Sequence, residues 1–99
     1  YADLAQDKSR EELIHYYREY YDGAQFVRVL DDKLPELKYV AGSNYCDIGL
    51  QIDQDRKQVI IISAIDNLVK GSAGQAIQNL NLMAGWDETL GLKQIGLYL

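Results

Sequence analysis

Tyr45-Cys46-Asp47-Ile48-Gly49-Leu50-Gln51-Ile52, then Asp53-Gln54-Asp55-Arg56, then Gln58-Val59-Ile60-Ile61-Ile62-Ser63-Ala64-Ile65, is the stretch whose reading decides the fold. Cys46, Ile48, Leu50 and Ile52 alternate with Tyr45, Asp47, Gly49 and Gln51, the period of a half-buried strand. A polar turn follows, and the next run completes an antiparallel hairpin. In that second strand Val59, Ile61, Ser63 and Ile65 share one face, and Ile60, Ile62 and Ala64 the other. A strand apolar on both faces calls for cover on both, because each Å² of apolar surface left in water forgoes about 25 cal/mol. Helices of this chain are expected to cover one side. Further protein is expected on the other, with a loop folded across it as the alternative.

Upstream of the hairpin, Ser9-Arg10-Glu11-Glu12 has the form of a capping box. Leu13, Ile14, Tyr17, Tyr20 and Tyr21 recur at helical spacing until Asp22-Gly23, which predicts a helix over Ser9–Tyr21 with tyrosines suited to a partly wet interface. Tyr1–Lys8 shows no clear period. Phe26–Leu30 reads as a short strand, Asp31–Glu36 with the only proline as a loop, and Lys38-Tyr39-Val40 as a second short strand ended by Ala41-Gly42-Ser43-Asn44. Downstream, a helix is expected from near Asn67 to Gly85. Its apolar stripe is Ala73, Ala76, Ile77, Leu80 and Met83, with Gln75, Gln78, Asn79 and Asn81 largely off that stripe. Trp86 is expected to pack back on this helix, and Asp87–Leu99 to be irregular. The fold class is α+β: an antiparallel or mixed sheet with helices packed on one face.

The 99 residues allow one domain, 47% hydrophobic and 25% charged. The net charge of -5, with Lys and Arg scattered, argues against nucleic acid. No apolar run approaches the roughly 20 residues of a membrane span, and no signal peptide is visible; the lone cysteine suits a reducing, cytoplasmic setting. The start at Tyr1 suits a piece of a longer protein. One cysteine and one histidine cannot build a disulfide framework or a zinc site, so no metal is expected. Cys46, on the apolar face of its strand, reads as a buried inert thiol, and His15 as structural. No dinucleotide fingerprint and no P-loop is present.

The most unusual stretch is Asp66-Asn67-Leu68-Val69-Lys70-Gly71-Ser72-Ala73-Gly74-Gln75, which leaves a buried strand and opens a helix. Gly71 and Gly74 each cost about 1 kcal/mol against alanine if helical. Two such residues let another backbone or a flat ligand approach closely. The helix start adds free N–H groups and Lys70 a charge, so the site suits an anion or the amide of a cofactor ring. Tight helix packing, with Asp66 or Asn67 as a simple N-cap, fits the same residues.

Gly42-Ser43-Asn44-Tyr45-Cys46-Asp47-Ile48-Gly49 and the run from Ile65 through Asp66-Asn67-Leu68-Val69-Lys70-Gly71 to Met83 resemble the N-acetyl-gamma-glutamyl-phosphate reductase family. Phe26–Leu30 and Gly85-Trp86-Asp87-Glu88-Thr89 resemble it in the same order, so the likeness covers nearly the whole chain. It implies part of a two-domain enzyme of arginine biosynthesis, with a C-terminal domain like that of glyceraldehyde-3-phosphate dehydrogenase. Such an enzyme reduces N-acetylglutamyl 5-phosphate to the semialdehyde with NADPH, through a cysteine nucleophile and an assisting histidine. Those two residues lie upstream of the matched stretch. The chain over 1–99 is therefore expected to be the C-terminal part of the catalytic and dimerisation domain, with no catalytic residue of its own and no activity alone. Its expected partners are the rest of the parent chain, a small acyl-phosphate substrate and a second copy joined through the sheet. Resemblance to the wider glyceraldehyde-3-phosphate dehydrogenase superfamily, where an asparagine at the start of the corresponding helix reaches the nicotinamide amide, points to Asn67, with Lys70, Gly71 and Gly74 shaping the pocket. Ser43 and Asn44 could line the same cleft, but a plain turn suits them better. The rival readings are an aspartate-semialdehyde dehydrogenase-like enzyme and a non-catalytic assembly module.

Overall fold

A computed structural model describes residues 1–97. In chain order its elements are β1 (Ala2–Asp3), α1 (Arg10–Tyr20), β2 (Val27–Val29), α2 (Leu37–Val40), β3 (Cys46–Asp53), β4 (Gln58–Ile65), a π-helical turn (Val69–Ala73) and α3 (Gly74–Ala84). The four strands form one mixed sheet in the order β1-β4-β3-β2. β3 and β4 make the expected antiparallel hairpin, with Cys46 opposite Ile65 and Asp53 opposite Gln58. β2 runs parallel to β3, Val27 opposite Cys46, and β1 adds two residues antiparallel to β4. The architecture is α+β, as the sequence indicates.

Helix α1 begins at the capping box. The Ser9 hydroxyl accepts from the Glu12 N–H at 3.1 Å, and the Glu12 carboxylate accepts from the Ser9 N–H at 3.4 Å. Ile14 packs on Leu50 and Val59, with Leu4, Leu13, Tyr17 and Val29 around them. Where β2 stops, the Arg10 guanidinium takes over its place and donates to the Leu50 carbonyl at 2.8 Å. Tyr16 and Tyr20 remain on the water side of the helix.

The opposite face of the sheet is covered from within the chain. Pro35 lies directly on Gly49, where a Cβ would come 2.6 Å from the proline Cδ. Val40 is fully buried. Asp47, also buried, pairs with Arg28 at 2.6 Å, and the guanidinium stacks 4.3 Å from the Tyr45 ring. A loop therefore crosses the face for which outside protein was expected. The surface that stays open is different: Ile61 and Ile65, on the α1 side, are 39% and 38% exposed, and the β4 edge beyond Val59 has no pairing strand among the described residues.

Two further expectations are corrected. Lys38–Val40 is one turn of helix, not a strand. Both edges of β3 are taken, and the segment closes its own bonds instead, Tyr39 N–H to the Glu36 carbonyl and Ala41 N–H to that of Leu37. Helix α3 ends as expected at Gly85, whose φ of 71° is left-handed; the Trp86 N–H returns to the Asn81 carbonyl at 2.9 Å, and its side chain is 55% exposed. Lastly, α3 faces the wrong way for a core helix. Gly74, Gln78 and Asn81 are its buried residues, whereas Ile77, Leu80 and Met83 are 43%, 53% and 85% exposed. It does not cover the sheet; α1 does. The Cα radius of gyration, 15.2 Å, exceeds the about 13 Å of a compact chain of this length.

Candidate functional site

The segment after β4 is organised by Asp66. Its Oδ1 accepts from the Leu68 and Val69 N–H groups at 2.7 and 2.9 Å, and its Oδ2 from the Gly42 N–H at 2.7 Å. Those bonds, that of Gly42 first, hold its carboxyl below the usual aspartate range. Asp66 is thus the cap, and it ties the helix start to the turn before β3. The N–H groups that would receive an anion are already occupied by a carboxylate of the chain itself. This counts against an anion at the helix start and leaves the neutral amide as the remaining ligand type.

With Asp66 as the cap, Asn67 is left over. Its side chain is exposed and makes no hydrogen bond to the described residues. It borders a cleft of about 340 Å³, lined also by Leu37, Ala41, Ile65, Asp66 and Leu68. A donor-acceptor amide beside apolar walls is the arrangement that holds a flat ring bearing a carboxamide.

The next turn is π-helical. The N–H groups of Gly71, Ala73 and Gly74 reach back five residues, to the carbonyls of Asp66, Leu68 and Val69. Such single π turns concentrate at functional positions in helices. Gly71 lies beside Asn67, and a Cβ there would come 3.1 Å from the Asn67 Oδ1. Gly74 is buried below, and a Cβ there would overlap the Asn44 Oδ1 and come 2.6 Å from the Val69 carbonyl oxygen.

Lys70 turns inward. Its Nζ donates to the Gln78 Oε1 at 2.7 Å and lies 5.5 Å from the centre of the Phe26 ring. Burial pushes the Lys70 ammonium toward deprotonation, against the opposing pull of Cys46 and Glu88. Gln78 also accepts from the Asn44 Nδ2 at 3.1 Å and donates to the Glu88 carboxylate at 2.7 Å. Asn81 donates to the carbonyls of Glu88 and Leu90. The four anticipated residues therefore divide: Asn67 lines the cleft with Gly71 beside it, whereas Lys70 and Gly74 meet Gln78 and Asn44 instead.

Gln78, Asn81 and Glu88 are not singled out by the sequence, which places Asn44 in the turn before β3 without its link to α3. Their signal was present: Gly74, Gln78 and Asn81 recur at four and then three residues, a small-polar stripe at helical spacing that rivals the apolar one. Cys46 is half-buried, and burial raises its thiol pKa, the opposite of what a nucleophile needs. His15 lies on the surface of α1 beside Glu19 at 3.1 Å. No helix of the described residues is long and apolar enough to cross a membrane.

The family described as semialdehyde dehydrogenase, dimerisation domain, matches residues 1–67. Among curated proteins the chain is 56% identical over 100 residues to an N-acetyl-gamma-glutamyl-phosphate reductase of Acetivibrio thermocellus, covering 100% of this chain and 29% of that protein. It is 49% identical over 98 residues to the protein of the same name from Caldicellulosiruptor bescii, and 52% over 99 residues to that from Oceanobacillus iheyensis. Each of these matches covers 99% of this chain and 29% of the relative. The chain thus spans under a third of the length of these relatives.

Proposed function

The chain belongs to the semialdehyde dehydrogenase dimerisation-domain family, and from that membership we propose that it serves, within a longer protein, an NADPH-dependent reductase of N-acetylglutamyl 5-phosphate in arginine biosynthesis. The named relatives support the choice of reductase within the family. In this reading residues 1–99 are the C-terminal part of a catalytic and dimerisation domain located in the cytoplasm, and the acyl-phosphate substrate reacts on residues outside them.

The observation that carries the cofactor assignment is the division of labour between Asp66 and Asn67. One caps the helix; the other presents an unbonded amide to an apolar cleft. Asn67 would hold the carboxamide of the nicotinamide, Gly71 would let the ring lie close, and Lys70 and Gly74 would support them through Gln78 and Asn44. NADPH, when bound, supplies the hydride. What this chain does is orient the ring and exclude water from one side of it.

Two open surfaces support the assembly reading. Ile61 and Ile65 lie within the matched dimerisation domain and would face a second copy. The outward stripe of α3 lies beyond the match and would face the rest of the same protein. The test is a reductase assay on the complete protein with N-acetylglutamyl 5-phosphate and NADPH, beside the 99-residue chain. Turnover by the first and none by the second is expected. Equal turnover of aspartyl phosphate would replace this reading with the aspartate-semialdehyde one, and no turnover of either would leave a non-catalytic assembly module.

A further inference from the structure

The polar cluster around Gln78 has only one consistent arrangement. Gln78 is 8% exposed and uses both ends of its amide. Its Oε1 faces the Lys70 ammonium at 2.7 Å, and its Nε2 faces the Glu88 carboxylate at 2.7 Å. Reversed, the amide would set a donor against a cation and an acceptor against an anion. The two charges therefore fix Gln78, and Gln78 fixes Asn44, whose Nδ2 must point to the same Oε1 at 3.1 Å. The cost falls on the other end of that amide. The Asn44 Oδ1 is left against Gly74, the one buried side-chain polar atom without a partner among the described residues. A buried acceptor with no donor is unfavourable, so the arrangement is imposed by the charges on either side.

The bond from Gln78 back to Lys70 spans eight residues, from the second turn of α3 to the π turn. Asp66 holds the other end of the same segment. Asn67 lies between these two anchorages with its own amide free. From this geometry we infer that Gln78 is a positioning residue: it reads Lys70 and Glu88, holds the π turn, and thereby sets the pose in which Asn67 meets the cofactor. This rests on the reading of Asn67 as a nicotinamide contact.

The experiment exchanges the two side-chain types. In the complete enzyme, Gln78→Glu places two carboxylates face to face, and Glu88→Gln removes the anion that orients Gln78. The double variant Gln78→Glu/Glu88→Gln restores one carboxylate and one amide, with the introduced carboxylate accepting from Lys70, from Asn44 and from the introduced amide. Steady-state NADPH KM and kcat are read with the melting temperature. Each single variant is expected to raise the NADPH KM about fivefold or more with kcat little changed, and the double to return to about twofold of wild type. Unchanged KM in both singles overturns the inference. So does a double variant that regains its melting temperature without regaining KM, since the cluster would then serve stability alone. Asn67→Ala in the same assay separates the two readings. A raised KM there with no effect at Gln78 sinks the positioning role only. No effect at Asn67 sinks the cofactor contact, and the positioning role with it.

Discussion

Asn44 occupies the space in which a side chain on Gly74 would lie. The contact joins the turn before β3 to the first residue of α3, and it is made on the side of Asn44 that carries no hydrogen bond. Glycine is therefore required here for space, since its φ of -65° is ordinary helix. Gly74→Ala is expected to destabilise the chain by about 2 kcal/mol, within the usual range for overpacking. Gly71→Ala differs, because its nearest neighbour is the movable end of the exposed Asn67 side chain. It should leave the melting temperature within a degree or two by calorimetry and raise the NADPH KM of the complete enzyme.

Asn67→Ala should leave the fold intact, since that side chain bonds to no described residue. It should weaken NADPH use in the complete enzyme, seen as a higher KM. Unchanged kinetics would remove Asn67 from the site.

Asp66 gives a pH signature. Its carboxyl lies below the usual aspartate range in the native chain because the Gly42, Val69 and Leu68 N–H groups donate to it. Its stabilisation is therefore present above the unfolded value of about 3.9 and is lost as pH falls through the lower native value. Wild type should melt above Asp66→Asn near neutral pH, and the gap should close only below about pH 4. A gap that stays constant into that acid range would show that the charge on Asp66 plays no part.

The buried Asp47–Arg28 pair predicts a larger effect. Asp47→Ala leaves the guanidinium without its partner against the Tyr45 ring. A loss of about 3 kcal/mol is expected by chemical denaturation, the low end for a broken buried pair because Arg28 is partly exposed.

The open surfaces make opposite predictions in different settings. Ile61→Lys with Ile65→Lys should shift the complete enzyme toward the monomer in sedimentation velocity. Ile77→Glu with Leu80→Glu should leave the 99-residue chain about as stable as before, yet lower the melting temperature of the complete enzyme, where the proposed reading has that stripe covered.

The hairpin, the capping box of α1 and the glycine stop of α3 were legible because each is written in neighbouring residues. Lys38–Val40 was not legible because Lys38, Tyr39 and Val40 suit a short strand or a single turn equally, and only the bonds from Tyr39 and Ala41 back to Glu36 and Leu37 decide between them. The two residues of β1 are too few to leave a period. The orientation of α3 was hidden for another reason. Two stripes share that helix, one apolar and one polar, and which turns inward depends on Asn44 and Glu88 meeting Gln78 from distant parts of the chain. At the site, Asp66 and Asn67 were equivalent cap candidates by sequence. Three N–H groups pointing at Asp66 settled the choice, and no local pattern encodes the one from Gly42.

The outward face of α3 also bears on how the isolated chain would behave at the bench. A native, well-ordered sample would bind an apolar dye such as ANS through Ile77, Leu80 and Met83. That fluorescence, normally taken as the mark of a loosened core, would here come from a flank that is complete only in the longer protein. Sharp melting together with bright dye would distinguish the two cases.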